Sequence, residues 1–168
     1  SYIIFIRAHH ISMVRVGVIQ MTSTEDLVRN DELAMRLVET AVKDKGANFV
    51  CLPECFHCLG RNANETFDVA RRTYRMCIEK YQNLAKKLNV WLSLGGIHCI
   101  KDKETKMSNC HVILNDDGEI VCEYDKIHLF DVRIPGRVCL MESESTKPGA
   151  CLKICNTPFG KLGISVCY

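Results

Sequence analysis

Three short apolar runs, separated by two stretches of helical period, constrain this chain more than anything else in it. Val14 to Met21 (VRVGVIQM) alternates apolar and polar residues and then turns apolar, as a strand does. From about Leu27 to Lys43, the residues Leu33, Leu37, Val38, Ala41 and Val42 fall at helical spacing, with N-cap candidates at Thr22, Ser23 and Thr24 and a stop at Gly46. Asn48 to Leu52 (NFVCL) is a second, buried strand ended by Pro53. A second amphipathic stretch, about Asp68 to Leu88, aligns Thr73, Cys77, Tyr81, Leu84 and Leu88, and Val90 to Cys99 (VWLSLGGIHC) follows as a third strand. This order predicts βαβ units of an α/β fold, doubly wound in its early part. The pair Gly95-Gly96 predicts a bulge or a close backbone approach.

Downstream the pattern changes. Asn109 to Leu114 and Glu119 to Tyr124 read as strands joined by the hairpin signal Asn115-Asp-Asp-Gly118, which makes the sheet mixed. Lys126 to Gly149 is a long irregular segment with breakers at Pro135-Gly136 and Pro148-Gly149, and a loop of that length usually carries function. Cys151 to Cys155 and Lys161 to Val166 are two last strands around a turn at Pro158 to Gly160, with Leu162 to Val166 reading as buried. Nothing in the pattern closes the sheet on its far side. The expectation is therefore a domain over residues 13–168 that is truncated at its C-terminus, preceded by an extension over 1–12 of targeting or non-native origin, with Met13 as the natural start. The apolar run Leu162 to Val166 would be left as an exposed edge, which predicts that these 168 residues alone are poorly soluble and inactive.

A formal net charge of +2 gives no footprint for nucleic acid or a membrane surface, and no apolar run approaches membrane-span length. Eleven cysteines are an odd number without a secretory signal, which argues for reduced thiols used as small buried hydrophobes. One arrangement competes with that reading. Cys51, Cys55 and Cys58 enclose His57, and His98-Cys99 and Cys110-His111 could add ligands for zinc. Adjacent strand residues point to opposite faces, so each of those two pairs offers one ligand to any one site, and no second CxxC follows. The reading is therefore no metal and no cofactor, with Cys55 and Cys58 beside the entrance of a pocket at Glu54 and a zinc-binding or inert interaction module as the alternative of another class.

Glu54, Lys126 and Cys167 each stand at the end of an apolar strand, where open α/β folds place their sites. A carboxylate can take the proton of a thiol, the thiolate can attack a carbonyl, and a fixed ammonium can stabilise the oxyanion that forms. Read by position alone, the same three could also be ordinary loop residues.

LPECF at Leu52–Phe56, YDKIHLFDV at Tyr124–Val132 and GISVCY at Gly163–Tyr168 resemble, in this order, the three signature blocks of the nitrilase superfamily of carbon–nitrogen hydrolases. The resemblance runs from about Val14 to the end. It implies an α-β-β-α sandwich of which this chain holds the N-terminal part, with Glu54 as general base, Lys126 as oxyanion stabiliser, Cys167 as nucleophile and the Tyr168 backbone N–H in the oxyanion hole. The family's second glutamate falls on Glu142, with Glu144 the weaker match. His128 is a hydrogen-bonding candidate, and Arg133, Arg137 and Arg61 are candidates near the pocket mouth for binding substrate carboxylates. WLSLGGIH, SNCHVILNDDG, FDVRIPG and ESESTKPG are similar to the branch of deaminated glutathione amidases and Nit–Fhit fusions. That branch implies hydrolysis of deaminated glutathione to 2-oxoglutarate and cysteinylglycine through a thioester, a fused Fhit-like domain as one option, and a homo-oligomer at full length. Omega-amidase, acting on alpha-ketoglutaramate, is the sibling alternative. Asp125 stands where members of that branch usually carry Arg, although Asp also occurs there in the wider superfamily. The expected location is the cytoplasm, with the mitochondrion as the other option.

Overall fold

The computed structural model describes residues 13–101 and 104–167. The extension over 1–12 and Tyr168 lie outside the described residues. Strands β1 (Val16–Val18), β2 (Phe49–Leu52), β3 (Trp91–Cys99), β4 (Ser108–Leu114) and β5 (Ile120–Asp125) form one sheet in sequence order. The first three run parallel and the last three antiparallel, so the sheet is mixed. Helix α1 (Leu27–Lys43) connects β1 to β2, and α2 (Ala63–Leu88) connects β2 to β3.

Strand alternation decides what covers each face. Val50, Leu52, Leu92, Leu94, Val112 and Leu114 point one way and share a core with Ala34, Val38 and Ala41 of α1 and Cys77, Tyr81 and Leu84 of α2. Phe49, Trp91, Ile113 and Tyr124 point the other way and pack on Cys155, Ile164 and Val166. Both helices therefore cover one face, and the doubly wound arrangement is not what forms. The second face is occupied by a separate hairpin, β8 (Lys153–Thr157) with β9 (Gly160–Ile164), whose turn residue Phe159 sits 6.2 Å from Phe49 and 6.1 Å from Trp91 between ring centroids. The described layers are helix, sheet and second sheet.

Four further boundaries move for identifiable reasons. Helix α1 is capped by Asp26, whose carboxylate accepts from Arg29 N–H at 3.1 Å, rather than by Thr22, Ser23 or Thr24. Helix α2 begins at Ala63 because Asn62 caps it, accepting from Glu65 N–H at 3.0 Å, and its polar first turn hides the period. The segment 126–149 is ordered, with hairpin β6 (Asp131–Ile134) and β7 (Val138–Met141) followed by the one-turn helix α3 (Glu142–Ser145). The last apolar run does not join the main sheet: β9 pairs with β8, Ile164 and Val166 are buried, and the exposed apolar side chains lie on and beside β8 as Leu152 and Ile154.

Candidate active site

Glu54 leaves the end of β2 into space made by β3. The register of β3 against β4 shifts between Leu94 and Ile97, the bulge expected at Gly95-Gly96. A Cβ on Gly95 would lie 2.6 Å from the Leu52 carbonyl oxygen. A Cβ on Gly96, whose φ is +68°, would lie 2.6 Å from Glu54 Cγ. The bulge also receives the backbone after the acid, with Cys55 N–H donating to the Gly96 carbonyl at 2.8 Å. Gly96→Ala combines a left-handed backbone with a clash on the acid. It is expected to destabilise the protein by about 1–3 kcal/mol and to displace Glu54, read as a lower Tm together with a loss of activity larger than the loss of folded protein.

Lys126 follows β5. Its N–H donates to the Asn109 carbonyl at 2.9 Å, and its own carbonyl accepts from Gly149 N–H at 2.9 Å. Its side chain, 4% exposed, brings Nζ to 3.1 Å from Glu54 Oε1 and 2.9 Å from Glu142 Oε2. Burial works to lower the Lys126 pKa, but the hydrogen bonds to Glu142 and Glu54 outweigh it, and the net shift is upward. The two acids are themselves held in place. Glu54 Oε1 also accepts from Asn109 Nδ2 at 2.7 Å, and Glu142 Oε2 from Phe130 N–H at 2.7 Å. With both acids ionised, the cluster carries one negative charge in excess and can accept a proton.

A cleft of about 610 Å³ opens over this cluster, and Glu54, Lys126, Glu142, Asn109, His98 and Cys167 all line it. Cys167 joins it from after β9, exposed and with φ +60° in the left-handed region. The structure thus gathers an acid, an ammonium and a thiol from three separate segments around one space large enough for a small molecule.

Residues 15–168 match the family described as carbon-nitrogen hydrolase. The chain belongs to the carbon–nitrogen hydrolase family. It is 45% identical to the nitrilase and fragile histidine triad fusion protein NitFhit of Caenorhabditis elegans, over 91% of this chain and 35% of that protein. It is 43% identical to the deaminated glutathione amidase of Dictyostelium discoideum, over 92% of this chain and 55% of the relative. The crystal structure of the worm NitFhit protein superposes with a TM-score of 0.84, covering 91% of this chain and 37% of that one. Nit3 of Saccharomyces cerevisiae, from branch 10 of the nitrilase superfamily, superposes with a TM-score of 0.78 at 27% identity, covering 92% of this chain and 55% of that one. The chain spans about half the length, or less, of these relatives.

In this member of the carbon–nitrogen hydrolase family other sequence candidates fall elsewhere. His128, Arg133 and Arg137 are exposed and are not among the residues lining the cleft. Arg61 does line it, with its guanidinium on Glu65 at 3.0 and 3.2 Å. Glu144 lines the wall, while Glu142 is the acid that reaches Lys126. Asp125 lines a different cavity and pairs with Lys101 at 2.6 Å. Cys55 lines the cleft beside Glu54, but burial and the Glu54 charge push its pKa up to about 12, against a smaller opposing pull from Lys126. It therefore stays protonated and is a poor rival nucleophile.

His57 does not complete a cysteine site. Its Nδ1 is 2.9 Å from Asp31 and its Nε2 3.0 Å from Thr73, and the Lys80 ammonium closes on the other Asp31 oxygen. Among the described residues, the group that brings three metal-ligand types together is Asp31, His57 and Cys77, where Lys80 already supplies positive charge to the acid. Asn109 is the site residue that sequence reasoning missed. It is 1% exposed, and it shares the polar start of β4 with Ser108 and His111, so its side chain gives no distinctive sequence signal.

Proposed function

We propose that this chain carries the reacting groups of an amidase that cleaves a C–N amide bond through a thioester on Cys167, with deaminated glutathione as substrate and 2-oxoglutarate and cysteinylglycine as products. The observation that carries the reading is the buried Lys126 ammonium clamped between Glu54 and Glu142 in a cleft that Cys167 also lines. In the first half-reaction Glu54 takes the thiol proton and the thiolate attacks the amide carbon. Lys126 Nζ stabilises the tetrahedral oxyanion, together with the Tyr168 N–H that the family resemblance implies. The C–N bond breaks as Glu54 returns its proton to the leaving amine. In the second half-reaction Glu54 deprotonates water, which attacks the thioester carbon; the C–S bond breaks to release the acid, and Glu54 returns the proton to the departing Cys167 sulfur. Glu142 keeps Lys126 charged and aimed throughout, as its 2.9 Å contact allows.

The relatives named deaminated glutathione amidase support this choice of substrate. A second reading rests on the relative named omega-amidase NIT3 of Saccharomyces cerevisiae, 31% identical over 92% of this chain and 55% of its own length. A Fhit-like domain in the same polypeptide, a homo-oligomeric assembly and a cytoplasmic location belong to the same proposal. The test is a side-by-side assay of the full-length protein. Release of cysteinylglycine from deaminated glutathione, well above ammonia release from alpha-ketoglutaramate, is the expected result. The reverse ratio transfers the protein to the omega-amidase reading, and turnover of neither sinks both.

A further inference from the structure

The thiol and its partners belong to different sheets. Glu54 and Lys126 hang from the five-stranded sheet, whereas Cys167 follows β9, which pairs with β8 in a sheet of two. Something must set one against the other, because a thiol displaced by an ångström from its acid loses much of its rate. Strand β4 touches all three parts. The Asn109 side chain holds Glu54 at 2.7 Å, and the Asn109 carbonyl holds the Lys126 N–H at 2.9 Å. Two residues on, and so on the same face of the strand, His111 Nδ1 lies 2.8 Å from the carbonyl oxygen of Ser165. Its Nε2 lies 2.7 Å from the hydroxyl of Ser93 on β3.

The partners fix the proton. A carbonyl oxygen can only accept, so Nδ1 carries the hydrogen and Nε2 accepts from the Ser93 hydroxyl. Burial holds the His111 pKa below the ordinary imidazole value, against the opposing Ser165 contact, which suits a neutral ring with its one N–H committed to Ser165. On either side of Ser165, Ile164 and Val166 are buried in the second core. Three consecutive residues are thereby pinned, one by a hydrogen bond and two by packing, directly before a Cys167 whose left-handed φ of +60° needs its surroundings to enforce it.

We propose that His111 is a positioning residue that sets the Cys167 thiol against Glu54 and Lys126 by anchoring the Ser165 carbonyl to β4. For its effect on turnover the proposal rests on the amidase reading above. Two amides separate the ring's nitrogens. In His111→Asn the side-chain nitrogen stands where Nδ1 was and can still donate to Ser165. In His111→Gln it stands where Nε2 was and reaches Ser93 instead. In the full-length protein, His111→Gln and His111→Ala are expected to lower kcat by about 30- to 100-fold with KM changed less than about threefold, while His111→Asn stays within about fivefold of the parent. Carbamidomethylation of Cys167 by iodoacetamide, followed by peptide mass spectrometry, should slow about tenfold in the same two variants and not in the third. Equal kcat and equal alkylation in the Asn and Gln variants overturn the proposal, even if the Ala variant fails to fold. If the parent protein turns over no amide, the amidase reading fails, and the alkylation series still decides whether His111 sets the thiol.

Discussion

Replacing Cys167 by alanine in the full-length protein is expected to reduce amide cleavage by at least about 10⁴-fold, because groups that act as one unit lose nearly everything when the nucleophile goes. Substrate binding should survive, since the cleft walls and the Lys126 cluster are built from other segments. The informative control is Cys55→Ala. Cys55 lines the same cleft, but its pKa near 12 leaves almost no thiolate at neutral pH, and its removal should change turnover little. Mass spectrometry adds a second measurement. The parent protein, quenched during turnover, should carry an acyl adduct on Cys167, and Cys167→Ala should carry none. Turnover that persists in Cys167→Ala, or passes to Cys55, removes the thioester mechanism.

Lys126→Met should damage both fold and chemistry. Removing the ammonium leaves Glu54 and Glu142 facing each other across the space that Nζ filled, with a cost of about 3 kcal/mol for breaking a buried pair. The Lys126 pKa is raised in the folded protein. Its stabilisation is therefore fully present below the unfolded lysine value of about 10.4 and is lost only as pH rises above that. Across neutral pH the gap in Tm between parent and variant should stay constant. It should narrow only as pH rises past about 10.4, where Lys126 itself begins to lose its proton in the parent. Turnover should fall by about 10²- to 10³-fold, the usual loss for one oxyanion donor. Thermal melts at several pH values, paired with kcat, check both parts. A variant as stable as the parent, with unchanged kcat, would falsify the clamp.

Much of the frame was legible as periodicity. Helix α1 spans Leu27–Lys43 as its spacing indicates, and Phe49–Leu52 and Trp91–Cys99 are strands where the apolar runs say so. What covers each face was not legible. Trp91 and Leu92 are both large and apolar, and a strand buried on both sides reads the same whether a helix or a second sheet lies on it. The hairpin β6–β7 escaped for the opposite reason. Its strand residues are all exposed or half-buried, so no amphipathic pattern announces it. Glu54, Lys126 and Glu142 could be singled out because they sit at strand ends and in recognisable blocks. Asn109 carries no such mark and His111 reads only as a possible zinc ligand, because their meaning lies in partners 55 and 54 positions away. The polar pair Asn30 and Asp31 was likewise invisible. Their burial in α1 is compensated by Thr24, His57 and Lys80, none of which lies on the same helix.

The placing of the thiol on a second, later sheet has a consequence for biosynthesis. Cys167 follows Glu142 by 25 positions. A ribosome adding roughly 5–20 residues per second makes that stretch in about one to five seconds. Glu54, Asn109, Lys126 and Glu142 all precede it, so the charged cluster on the first sheet can assemble while the segment bearing the sulfur is still in the exit tunnel. The nucleophile would then dock onto a proton acceptor that is already built, and the nascent chain would hold its most reactive atom apart from its activating partners until the remainder of the site is in place.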